Sequence, residues 1–202
     1  MSSHSIILAS ASPRRRELLE RIGIHVKVVP AHIDETSLAG ETPDEHVRRL
    51  SRAKAESVAA GQPDGRFFIG SDTVVVLDGR ILGKPVDRNE AAAMLRALSG
   101  KRHQVWSGFA VHDRTRGLTL DGAVCTEVEF RTLNPQEIDG YIETGEPMDK
   151  AGAYAIQGIG TFMVRQIHGS YTNVVGLPLA ELLDVLAELG AGRPFMNREQ
   201  QP

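Results

Sequence analysis

Helix-start signals alternate along this chain with short apolar, β-branched runs, and that alternation restricts the fold more than any bulk property. Thr42-Pro43-Asp44-Glu45 and Asp87-Arg88-Asn89-Glu90 read as capping boxes, in which an N-cap side chain and a glutamate three residues on satisfy each other's backbone donors. Asn134-Pro135-Gln136-Glu137 repeats the pattern. The three signals predict helices to about Ala60, Leu98 and Glu143, the first stopped by Gly61. Ser12-Pro13 predicts a further helix to about Ile22, ended by Gly23, and Pro178 to Leu189 a closing one, ended by Gly190. Strands are expected at Ile6 to Leu8, His25 to Pro30, Phe67 to Leu77 and Thr161 to Ile167. Asp78-Gly79 is a hairpin signal, and Val105 to Phe130 reads as two strands around a turn at Asp113 to Gly117. The glycine-rich stretch Thr144 to Gly160 reads as mostly loop. Interleaved helices and strands with at least one hairpin predict an α/β fold, a mixed sheet with flanking helices.

The length of 202 residues suits one domain, expected over 1–192, with 193–202 as a polar C-terminal tail. Charged residues are 24% and hydrophobic ones 41%, so the body should bury a core and the disordered, collagen-like and coiled-coil classes drop out. A net charge of −3 offers no general attraction to nucleic acid or an anionic membrane, so any polyanion site must be local. Cys125 is the single cysteine, which excludes an internal disulfide and a cysteine-rich zinc site. With one cysteine the cytoplasm is the expected compartment, and the start MSSHSIILAS has no basic n-region and too short an apolar run for a signal sequence.

Several residues break local rules. Arg14-Arg15-Arg16 puts three positive charges in a first helical turn, where the macrodipole favours negative ones. Either the arginines and the free N–H groups cradle a phosphate, or the turn is solvated and pairs with Glu17 or Glu20. Asp72 is a carboxylate inside the apolar run Phe67 to Val76 and needs a cation, a metal ion or solvent. A strand-end position facing a pocket would provide these; the alternative is a backbone-bonded aspartate in a bulge near Gly70. Lys54 shares the helical stripe of Val47 and Leu50, and its plain reading is a snorkelling side chain. Lys84 follows the hairpin begun by Asp72's strand and is placed plausibly near that carboxylate. Asp34-Glu35 could offer oxygen ligands to a hard cation such as Mg²⁺ or Mn²⁺, although most such pairs are solvated. Gly158-Ile159-Gly160 suggests close backbone approach to a ligand, but no P-loop is present. His103 reads equally as a satisfied loop histidine or a ligand, and Glu127 and Glu129 as a solvated strand face.

In order along the chain, Leu8-Ala9-Ser10-Ala11-Ser12-Pro13-Arg14-Arg15, Ile33-Asp34-Glu35, Gly70-Ser71-Asp72-Thr73-Val74-Val75 and Gly83-Lys84-Pro85 resemble the blocks of the Maf family of nucleotide pyrophosphatases. Ser99-Gly100 with His103, Gly145-Glu146-Pro147, Asp149 to Tyr154, Ile156-Gln157-Gly158 and Gly169 to Leu179 extend the resemblance over residues 8 to 179. It implies an α/β fold similar to that of inosine triphosphatases, two lobes around a cleft, and usually a homodimer. It implies hydrolysis of a nucleoside triphosphate to monophosphate and pyrophosphate, with a divalent cation, Mg²⁺ or Mn²⁺, as cofactor. By the same resemblance Asp72 is the proton acceptor and Glu35 helps it hold the metal. Arg14, Arg15, Lys54 and Lys84 embrace the phosphates and Ser10 adds a hydrogen bond. Arg14, Thr73 and Gln157 match positions tied to substrate choice. Gln157 with Gly169 to Gly176 looks like the branch acting on dTTP and UTP rather than 7-methyl-GTP. Ser107 stands where the family often has threonine, and keeps its hydroxyl.

Two other classes compete. A nucleotide-binding regulator of septum formation with little turnover would not need an activating carboxylate beside Lys54, Lys84 and Glu35. An RNA-binding module built on Arg14 to Arg16 calls for a wide basic surface and stacking aromatics, whereas aromatics are 5% of this acidic chain.

Overall fold

In the computed structural model, which describes residues 6–192, a seven-stranded mixed sheet carries helices as the interleaved pattern predicts. The expected tail 193–202 lies outside the described residues. The strands are β1 (Ile6–Leu8), β2 (Val26–Val28), β3 (Phe67–Leu77), β4 (Arg80–Leu82), β5 (Arg102–Asp113), β6 (Leu118–Phe130) and β7 (Val164–His168). Their order is β2-β1-β3-β5-β6-β7, with β4 turned back on β3. The helices are α1 (Pro13–Arg21), α2 (Pro43–Gly61), α3 (Arg88–Leu98), α4 (Pro135–Glu143), α5 (Tyr171–Val175) and α6 (Leu179–Glu188). The chain divides into two compact units, with boundaries inside β3, β5 and β6 and after α5: residues 6–72, Ser107–Val124 and 176–192 form one, and Thr73–Trp106 with Cys125–Val175 the other. No described helix is long and apolar enough to cross a membrane.

In the first unit β1 lies parallel to both β2 and β3, pairing Leu8 with Val28 and with Ile69. Parallel neighbours need crossovers, which α1 and α2 supply. α2 begins on a complete capping box at Thr42 and Glu45, and its inward stripe includes Val47, Leu50, Ser51, Ala55 and Val58. Ala55 and Val58 join Ile7, Ala9, Phe68 and Ala110 in one buried cluster. Two glycines let the helix lie this close. A Cβ on Gly70 of β3 would overlap the Ser51 carbonyl, and one on Gly108 of β5 would overlap the Val47 carbonyl. The helix backbone thus presses on adjacent strands.

In the second unit α3 packs against α4. His103 lies in β5 rather than in a loop, buried edge-on between Phe130 and Tyr154 with centroids 4.9 and 5.4 Å away. Its Nε2 is 2.8 Å from the Tyr154 hydroxyl, while Nδ1 is buried without a hydrogen-bond partner among the described residues. Glu127 and Glu129 form an outer strand face, as expected, and both pair with Arg102.

Three local expectations need correction. Asp87 caps α3, but Glu90 reaches back to the N–H of Val86 rather than closing the box on Asp87. The stretch 144–160 is not mostly loop, since short 3₁₀ turns occupy Glu146–Asp149 and Ala151–Ala153, and a third, Ile159–Met163, delays the start of β7 to Val164. The carboxylate of Glu146 takes the N–H groups of Ile159 and Gly160, which curls those residues into a turn. The short helix α5 was not foreseen; its turn is nucleated by Ser170, whose Oγ accepts from Asn173 N at 3.3 Å.

Candidate active site

Lys54 does not snorkel. One helical turn beyond Leu50, it follows the buried stripe of α2 inward and ends with Nζ 2.7 Å from Asp72 Oδ1 and 2.7 Å from Glu35 Oε1. The Lys54 side chain is 9% exposed and that of Asp72 11%, whereas Glu35 is half in solvent. Asp72 sits within the continuous strand β3, not at a strand end, and is tolerated there because Lys54 neutralises it. The close approach at Gly70, two residues before Asp72, brings α2 near enough for that pair to form.

The three arginines of α1 separate. Arg16 pairs with Glu20 at 3.4 Å in solvent, the plain reading of this turn. Arg15 turns inward, its Nε donating to Gly176 O at 2.7 Å and its Nη1 to Ser10 Oγ at 2.9 Å and Ser71 O at 2.8 Å. Burial pulls its guanidinium down to about 10, with Asp72 opposing and Arg14 adding to the shift, so it remains a cation at neutral pH. Arg14 is half-buried and makes no hydrogen bond or ion pair among the described residues. Ser12 occupies the N-cap of α1, yet its side chain caps nothing. Its N–H donates instead to Ser10 Oγ, which therefore accepts two bonds and has its own proton directed away from both donors.

Glu35 is placed by a network that the sequence did not reveal. Glu41, whose side chain is 6% exposed, accepts from Arg49 Nε at 2.5 Å and Nη2 at 2.8 Å, from Leu38 N at 3.1 Å, and lies 2.9 Å from His46 Nδ1. Arg49 Nη2 also holds the carbonyl of Thr36, and Thr36 N closes a turn on Asp34 Oδ1. The loop carrying Glu35 is thus strapped to α2, the helix that carries Lys54. Arg49 holds the Glu41 carboxyl well below the usual carboxylate range, overcoming desolvation, with His46 and the Leu38 N–H helping.

Ser10, Arg14, Arg15, Glu35, Lys54 and Asp72 belong to one unit; Thr73, Lys84 and Gln157 belong to the other. Lys84 is exposed on the loop after β4 and has no ion-pair partner among the described residues. That loop is tied by Gly83 O, which accepts from Gly152 N at 3.0 Å. Thr73 follows Asp72 along β3 and is half-buried. Gln157 is also half-buried, but its Oε1 is buried with no hydrogen-bond partner among the described residues. Gly158 and Gly160 do permit close backbone approach, though to the chain's own Glu146 and Tyr141.

The donor set at Glu35 and Asp72 suits a hard cation. Both carboxylates already converge on one positive group, Lys54 Nζ, so their oxygens lie within twice 2.7 Å of each other. No cluster of three or more His, Cys, Asp or Glu occurs among the described residues, so any ion held here must complete its shell with water and ligand oxygens, as Mg²⁺ commonly does.

An α/β protein that gathers a buried lysine–carboxylate pair, a loop glutamate and an arginine-rich helix start is of the kind that handles multiply charged anions. The chain matches the Maf-like protein family over residues 5–189 and belongs to it. It is 56% identical over 191 residues to a protein of Geobacter sp. strain M21 named dTTP/UTP pyrophosphatase, covering 95% of this chain and 98% of that one. A protein of the same name from Syntrophotalea carbinolica is 57% identical over 194 residues, 95% of this chain and 88% of that one. Among solved structures, the Staphylococcus aureus Ham1 protein is similar at a TM-score of 0.47 and 16% identity, over 91% of this chain and 98% of that one, too distant to bear on the site.

Proposed function

We propose that this protein hydrolyses dTTP and UTP to the nucleoside monophosphate and pyrophosphate. Relatives of that name match nearly the whole chain. The structural observation that carries the reading is Lys54 Nζ held between Asp72 and Glu35, since a purely binding site for an anion has no use for two carboxylates. Water attacks the α-phosphorus, a new P–O bond forms, and the bond to the bridging oxygen breaks to release pyrophosphate. Asp72 takes the proton from that water, its Oδ1 already carrying the hydrogen bond from Lys54 Nζ. Lys54 holds the carboxylate in place and carries positive charge toward the phosphates. Arg14 and Lys84, without partners among the described residues, are the cations available to the β- and γ-phosphates, and Ser10 donates its remaining proton. Arg15 serves from behind, holding Ser10 Oγ and the carbonyl next to Asp72. Mg²⁺ or Mn²⁺ held through Glu35 and Asp72 would neutralise the triphosphate and make the attacking water more acidic. Thr73 and Gln157 select the base, the Gln157 amide offering one donor and one acceptor. The family resemblance adds to this proposal a homodimer, which light scattering of the purified protein tests, and a cytoplasmic location, which fractionation of cells tests.

The deciding experiment is hydrolysis of dTTP and UTP with Mg²⁺ or Mn²⁺, resolving pyrophosphate from orthophosphate, with Asp72→Asn alongside. Pyrophosphate is the expected product, with turnover falling by roughly 10² to 10⁴ in the variant and abolished by chelator. Orthophosphate as product, or wild-type turnover in Asp72→Asn, would overturn it. Tight nucleotide binding without turnover would favour a regulator of division instead.

A further inference from the structure

Gln157 is bracketed by a side-chain pair to which no role has been given. Glu146 accepts the N–H groups of Ile159 at 2.9 Å and Gly160 at 3.0 Å, and the hydroxyl of Tyr141 at 2.8 Å. Tyr141 Oη in turn accepts the N–H of Ala155 at 3.2 Å. The backbone is therefore gripped two residues before Gln157 and again two and three residues after it, through one Tyr–Glu unit rooted in α4. A Cβ on Gly158 would overlap the Glu146 carboxylate, and one on Gly160 would come 2.7 Å from Tyr141 Oη. Moving that carboxylate aside would cost it three hydrogen bonds, so the fit is tight as well as bonded. Although desolvation opposes it, the bonds from Gly160, Ile159 and Tyr141 lower the pKa of Glu146 and keep it ionised, which strengthens each contact.

We infer that Glu146, acting with Tyr141, is a positioning residue that fixes the orientation of the Gln157 amide and thereby separates uracil and thymine from cytosine. This rests on the reading above that Gln157 meets the base. Uracil and thymine present an N3–H donor beside the O4 acceptor, whereas cytosine presents an N3 lone pair beside an N4 amino donor. A side-chain amide can satisfy either pattern, in opposite orientations. Gln157 is half-buried, and its buried Oε1 has no donor among the described residues; an amide that meets uracil or thymine with its oxygen toward N3–H would face a lone pair on cytosine. Such a mismatch discriminates only while the amide cannot rotate or shift, because a loosened amide turns over and accepts the wrong base. The Tyr141–Glu146 brace holds the backbone that carries the amide, and so opposes such a shift at its root.

The test is kcat and KM for dTTP and dCTP with the full-length wild type, Glu146→Gln, Tyr141→Phe, Gln157→Ala and the Glu146→Gln/Gln157→Ala double variant, with melting temperatures recorded. In Glu146→Gln the kcat/KM ratio of dTTP to dCTP should fall about tenfold, the loss for dTTP falling on KM more than on kcat. Tyr141→Phe should shift the ratio the same way, and carries the test if Glu146→Gln does not fold. The double variant should match Gln157→Ala, since a brace with no amide to orient has nothing left to do. A lowered melting temperature with an unchanged ratio, or equal losses of kcat for both nucleotides, would overturn the inference while leaving the Gln157 assignment standing. A wild-type ratio in Gln157→Ala would sink the base-reading role of Gln157 and this inference together.

Discussion

Arg14, Arg15 and Arg16 are neighbours in sequence, yet one lacks partners among the described residues, one is buried and one is paired in solvent. A helical step of about 100° sends consecutive side chains in different directions. Arg16 and Glu20 form an exposed pair of the sort that contributes little. Arg15 is different, because its fork spans Gly176 O, Ser10 Oγ and Ser71 O at once. A lysine ammonium is a single point and cannot span the three acceptors. Arg15→Lys is therefore expected to lower the unfolding free energy by about 2 to 4 kcal/mol, read from the urea midpoint at pH 7. An unchanged midpoint would show that the guanidinium fork is not what holds these carbonyls. The sequence showed that these arginines were anomalous; it did not show which of them turned inward, since that depends on Gly176, far along the chain.

Among the elements, α2 does most to assemble the site. Its start was legible because a capping box is local: Thr42 and Glu45 satisfy each other's backbone whatever lies beyond. Its inward stripe was legible by period. The strap from Arg49 to Glu41 was not, because it needs the loop to return over the helix, and neither charge alone announces that. Glu41→Gln should weaken the strap and free the loop carrying Glu35 while the core of α2 stays folded. Amide hydrogen exchange over residues 34–41 is expected to speed up by about tenfold or more, with the amides of Leu50 to Val58 unchanged. Faster exchange along the whole helix would mean instead that Glu41 supports α2 itself.

At the scale of the whole molecule, stability should fall with acid in two stages. Burial depresses His103 to about 4, below the ordinary 6.5, so it folds as the neutral ring. Its contribution is complete above pH 6.5 and is lost as pH falls from there through about 4, since the unfolded chain binds the proton first. The contribution is at most about 3 kcal/mol. The carboxyls of Glu41, Asp113 and Glu146, held low by their partners, add a second loss below the ordinary carboxylate range. Urea unfolding of wild type and His103→Gln between pH 7.5 and 4.5 checks the first stage; the variant should show the shallower slope. Parallel slopes would mean that the ring takes up its proton at the same pH in the folded and unfolded chains.

The sequence by itself determined the α/β class, the order of the longer elements and their caps, because period, capping and turn chemistry act over a few residues. It also marked Asp72 and the arginine turn as residues that needed partners. Tertiary structure alone decided who those partners are. Lys54 looked like a snorkelling side chain until Gly70 let α2 press onto β3 and brought Asp72 within 2.7 Å. Gly158 and Gly160 looked like a ligand's landing place until Glu146 was found against them. A charge inside an apolar run declares that something must neutralise it, but the identity of that group depends on which distant segments the sheet brings together.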